Sequence, residues 1–124
     1  MPMRALVLLA SVALVLVAGA QAAVRRGALI GEVRRGPITP VCAIEQPCDE
    51  PAKHVTLLFS RGTDVVGRVE TDAQGHYGLR LPAGVYSVRR PSASGLDRRL
   101  EPRTARVYGG RTARVDFFID TGIR

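Results

Sequence analysis

From residue 54 onward the chain repeatedly alternates apolar and polar side chains with a period of two, the pattern of half-buried β-strands. Val55, Leu57 and Phe59 share one face of 54–60, Val65 and Val69 one face of 65–71, and Tyr77, Leu79 and Leu81 one face of 76–81. Tyr86 and Val88 do the same over 84–90. After Val107 in a strand at 105–108, Ala113, Val115, Phe117 and Ile119 line one face of 111–119 and leave Phe118 outward. A weaker strand over 27–33 puts Leu29 and Val33 inward, with Gly31 marking a bulge or a close approach of backbones. Of these seventeen inward residues, all but Val65 and Ala113 make up the expected core of fifteen.

The strands are punctuated by turn chemistry. Asp72 and Gly75 bracket one tight turn, Pro82 and Gly84 a second, and Gly109-Gly110 marks a hairpin, while Arg61-Gly62-Thr63-Asp64 reverses the chain earlier. Turns this close together leave no room for helices, so the pattern predicts an all-β domain of about seven short strands in a Greek-key sandwich. Two stretches depart from the period. Residues 34–53 contain Pro37, Pro40, Pro47 and Pro51 and read as a long surface connection, and 91–104 has the composition of an irregular crossover between sheets.

Ahead of the sandwich, Arg4 precedes an apolar run over 5–17 and the small residues Ala18-Gly19-Ala20-Gln21-Ala22, which is the order of a secretory signal peptide cut after Ala22. An uncleaved membrane anchor is the alternative, because the uncharged run over 5–24 is about long enough to cross a bilayer. Removal of 1–22 leaves roughly 100 residues, enough for one domain over 27–120. Export also bears on Cys42 and Cys48, since an oxidising compartment favours a disulfide over free thiols. Their spacing fits neither a C-x-x-C redox pair nor a four-ligand zinc set, so the expected bond staples the insert at 36–53.

The net charge is +7, and seventeen of the eighteen positive residues are arginine. Arginine forks suit phosphate and carboxylate groups, which makes an acidic polymer of a cell envelope a candidate partner. The outward residues Arg68, Arg80 and Arg114, with the exposed aromatics Phe118 and Tyr108, are the candidate ligand patch. Alternation places Arg68 and Arg80 on one outer face of neighbouring strands.

The motifs Ile30-Gly31-Glu32-Val33, Val69 through Tyr77, Leu81 through Val88 and Gly110 through Phe117 resemble the carboxypeptidase regulatory-like family. The resemblance covers nearly all of the chain after the leader and implies a prealbumin-like (transthyretin-like) sandwich, related to carbohydrate-binding-like and Cna B-type modules. It implies no catalytic signature. The insert at 36–53 departs from the family pattern.

Catalysis would need a nucleophile with a base, or a metal with suitable ligands. Only His54 and His76 are present, neither in a metal-binding spacing, and Asp72, Asp116 and Asp120 lie in no calcium-loop motif. No enzyme activity, cofactor or metal is expected. The Cna B-type likeness raises an internal isopeptide bond, but with asparagine absent the only candidates are Lys53 with Asp116 or Asp120, and alternation turns Asp116 away from the core. Nucleic acid is not expected as a partner, because the rings of Tyr77, Tyr86 and Phe117 are assigned inward. The sequence therefore predicts a non-catalytic module in the periplasm or outside the cell, acting on an unknown protein or envelope polymer. Carbohydrate binding through the arginines and an exposed aromatic is the alternative, and membrane association is expected only if the leader is uncleaved.

Overall fold

The computed structural model of the protein describes residues 25–91 and 99–123, so the expected signal peptide over 1–22 and its expected cleavage site lie outside the described residues. Among the described residues ten strands form two facing sheets: β1 (Arg26–Gly36), β2 (Glu50–Pro51), β3 (Thr56–Arg61), β4 (Asp64–Glu70), β5 (His76–Pro82), β6 (Gly84–Arg89), β7 (Arg99–Glu101), β8 (Thr104–Val107), β9 (Thr112–Arg114) and β10 (Phe117–Asp120). One sheet has four strands in the order β4-β3-β6-β8, and the other has six, with β1 as its spine.

The first half of β1 pairs antiparallel with β5 and parallel with β9, while its second half pairs antiparallel with β2 and parallel with β10, which in turn holds β7. Gly31 sits where the partners change. A Cβ there would run into the carbonyl of Val115, whose own N–H donates to the Ile30 carbonyl at 2.9 Å. This is the close backbone approach expected at Gly31. It also explains why the predicted single strand over 111–119 is two, β9 and β10, interrupted at Val115 and Asp116.

All fifteen expected core residues are buried or packed against the core, as is Ala113, whereas Val65, also read as inward, is not. Val65 is half exposed because Phe59 pairs with Gly67 while Ser60 pairs with Val65, so Val66 is an extra residue on β4. This β-bulge shifts the alternation beyond it. Phe59, Tyr77 and Phe117 meet at the centre, with ring centroids 5.6 to 6.4 Å apart. Ala52, Leu100 and Ala105 complete the core from segments without a strong apolar period.

Both stretches read as irregular contain strand. Residues 34–36 continue β1, Glu50 and Pro51 form β2 as an edge partner, and β7 lies within the supposed crossover. The strand hydrogen bonds come from partners distant in sequence, which local composition does not report.

The turns at Asp72–Gly75, Pro82–Gly84 and Gly109-Gly110 are present, but none closes a hairpin between paired strands. Each carries the chain from one sheet to the other. At the first, the Asp72 carboxylate accepts from the N–H groups of Gln74 and His76 at 2.9 Å each, and Gly75 adopts φ 79°. Of the four predicted turns, only the Arg61–Asp64 reversal joins neighbours in one sheet.

Candidate functional site

Sequence considerations point to two places, the stapled insert and the outward arginines. The insert leaves the sandwich after Gly36 and returns at β2. Cys42 and Cys48 are disulfide-bonded, with Cα atoms 5.4 Å apart, and the Ile38 N–H donates to the Cys48 carbonyl at 2.8 Å across the neck of the loop. The base is clamped from β1, where the Arg34 guanidinium donates to Asp49 Oδ1 through Nε at 2.9 Å and Nη2 at 2.6 Å, and to Glu32 Oε1 at 2.9 Å. These two carboxylates hold the Arg34 pKa above its ordinary value, the Asp49 hydrogen bond contributing most.

The return of the loop is anchored by a residue without an obvious sequence signal. Thr71 is buried, its hydroxyl donates to the Ala52 carbonyl at 2.5 Å, and it accepts from the Val55 N–H at 2.9 Å. Ala52 in turn donates to the Val33 carbonyl at 2.8 Å. At the far end Thr121 donates to the Pro37 carbonyl at 2.7 Å. On this fixed base the loop presents two apolar side chains to solvent, Val41 at 81% and Ile44 at 103% relative exposure.

The candidate patch of Arg68, Arg80, Arg114, Phe118 and Tyr108 is not one surface. Arg68 is on β4 of the four-stranded sheet and Arg80 on β5 of the six-stranded sheet, so the expectation that they share a face on neighbouring strands is corrected. Turn chemistry at 71–75 did not reveal that the chain changes sheets there. Arg80, Arg114 and Phe118 do lie on one outer face, in register with Ala28, Ile30 and Arg34 of β1. At ~3.3 Å per residue, Arg80 and Phe118 stand about 20 Å apart along that strand. Arg114 is engaged with Asp116 at 3.2 Å.

Phe118 borders a shallow cavity of about 230 Å³ lined by Glu32, Arg34, Glu101, Asp116 and Phe117, so carboxylates rather than arginines dominate its surroundings. Asp116 accepts from the Glu32 N–H at 2.9 Å, which, ahead of Arg114, holds its pKa below the usual carboxylate value. Its carboxylate faces away from the core, as the alternation predicted, and Lys53 is exposed. Tyr108 lies beyond β8, near the start of β1, where a Cβ on Gly27 would meet its carbonyl, and Arg106 stacks on its ring at 5.9 Å.

Other titratable groups are explained by structure. Burial raises the Tyr77 pKa, and its hydroxyl donates to the Val115 carbonyl at 2.5 Å. His54 and His76 are exposed beside Glu70 and Asp72. Among the described residues no group of three or more His, Cys, Asp or Glu side chains is arranged to hold a metal ion.

No protein-family model matches the chain, and no curated protein matches it. Solved structures do. The Bacillus anthracis TIE protein superposes with TM-score 0.52 at 23% identity over 78% of this chain and 17% of its own. GBS52, the minor pilin of the Gram-positive pathogen Streptococcus agalactiae, superposes with TM-score 0.52 at 14% identity over 78% of this chain and 45% of its own. The chain thus spans less than half the length of either protein, and at these identities the likeness concerns architecture: the chain is an all-β, two-sheet sandwich of the kind found within both.

Proposed function

We propose that the protein is an exported, non-catalytic sandwich module that presents its disulfide-stapled loop, residues 37–49, to a protein partner in the cell envelope or extracellular space. The carrying observation is the exposure of Val41 and Ile44 on a loop fixed at both ends. Apolar side chains held in place this way lose little conformational freedom on docking, so burial against a partner is offset by a small ordering cost. The bonded cysteines suit an oxidising compartment and support the reading of 1–22 as a cleaved signal. The prealbumin-like motifs and the sandwich shared with a minor pilin are in keeping with a module of the regulatory-like type.

Two measurements test this reading. Intact mass of the protein from its host should match residues 23–124 and gain two hydrogens on reduction; a full-length mass in the membrane fraction would overturn export by cleavage. A photo-crosslinking residue placed at Ile44 in the native host should give a discrete adduct that the same residue at Val66 does not. Equal labelling at both positions would remove the loop from the reading.

A further inference from the structure

The outer face of the four-stranded sheet differs in kind from that of the six-stranded sheet. Across it, Arg68 of β4, Leu58 of β3 and Arg89 of β6 stand in one register row, and Ser60, Ser87 and Thr104 in the next. Arg106 of β8 follows, opposite Val85. Neighbouring strands lie ~4.8 Å apart, which separates the backbones of Arg68 and Arg89 by about 10 Å, and the offset from Arg89 to the Arg106 row by four residues adds about 13 Å along the strands. Three guanidinium groups thus surround a row of hydroxyls.

On the six-stranded sheet Arg34, Arg35 and Arg114 each face a carboxylate at 2.6 to 3.7 Å. Among the described residues, Arg68 and Arg89 have no such partner, and Arg106 contacts only the face of Tyr108, which leaves its N–H donors available. β3, β6 and β8 contain no acidic residue; Asp64 and Glu70 sit at the two ends of the edge strand β4. At the β3 end of the hydroxyl row, Ser60 is 96% buried, and its Oγ has no hydrogen-bond partner. Ser87 and Thr104 are the exposed members of that row.

We propose that this face binds a linear polymer bearing phosphate groups. Arginines spaced by about 10 Å or more meet separate charges along a chain rather than one small anion. The tetrahedral oxygens of a phosphate let a guanidinium fork and a hydroxyl engage the same group from different directions, whereas the two oxygens of a carboxylate lie in one plane. No aromatic ring stands in the Arg68 and Ser60 rows, so recognition is of charge and oxygen geometry and not by stacking. This inference is independent of the loop reading above.

The test uses the exported protein and long-chain inorganic polyphosphate, with affinity measured at two salt concentrations. Arg68→Gln with Arg89→Gln should weaken binding about ten-fold or more and flatten its salt dependence, because two ion contacts are lost. Arg80→Gln with Arg111→Gln removes the same charge from elsewhere and should leave affinity within about two-fold. In the unsubstituted protein, polyphosphate should shift the amide resonances of Ser60, Ser87 and Thr104. Equal losses from both pairs, no binding by the unsubstituted protein, equal or tighter binding of polygalacturonate, or shifts confined to the six-stranded sheet would each overturn the proposal.

Discussion

At the scale of single residues, small side chains set the tolerances of this fold. Thr71 satisfies the Ala52 carbonyl and the Val55 N–H from a buried position, so Thr71→Val keeps the shape and strands both groups. The expected loss is about 2 kcal/mol, measured by urea unfolding, with most of it absent in Thr71→Ser. Gly31→Ala should cost more, about 3 kcal/mol, because the obstructing atom is the Val115 backbone carbonyl and not a side chain that could turn aside. Acid sensitivity is set by Asp72 and Asp116, whose folded-state pKa values are depressed chiefly by the N–H groups of His76 and Glu32 respectively. Such groups contribute stability above their unfolded pKa and lose it as pH falls through the folded value. Melting temperature should therefore drop as pH is lowered below about 4, and Asp72→Asn with Asp116→Asn should flatten that drop. His76 was legible as a surface residue by alternation. Thr71 was not, because its role depends on an insert returning beneath it.

Among the elements, β1 and the stapled loop behave differently. β1 is hydrogen-bonded along both edges by β5, β9, β2 and β10, so its central amides should exchange with solvent last, close to the global unfolding limit. Rapid exchange at Ile30 and Gly31 would contradict that arrangement. The loop is a local ring closed by cysteines six positions apart, and Cys42→Ser with Cys48→Ser should cost about 2 kcal/mol while the sandwich still folds. Calorimetry with a retained β-type circular dichroism spectrum would check both halves of that statement. The strands beneath the alternation were legible from sequence, as was the staple. β2 and β7 were not, since each exists through a long-range partner and carries too few residues to show a period.

For the whole molecule, the consequential fact is which strands share a sheet. Residues 64–82 read as a run of neighbouring strands, yet β4 and β5 belong to opposite sheets, and this divides the arginines into two populations. On the six-stranded sheet Arg34, Arg35 and Arg114 are paired with carboxylates, whereas among the described residues Arg68 and Arg89 on the other sheet, like Arg80, have no such partner. The sequence by itself determined the all-β class, the inward residues and the places where the chain turns, because alternation, proline, glycine and aspartate act over a few residues. It also determined the opportunity for the Cys42–Cys48 bond through their spacing. Only the tertiary structure decided that the turns cross between sheets, that Val65 is pushed outward by a bulge, and that Arg68 and Tyr108 lie apart from the face that Arg80, Arg114 and Phe118 share. Those outcomes rest on pairings between segments as far as 84 residues apart, such as Val33 with Phe117, and a local period of two is the same whichever sheet a strand joins.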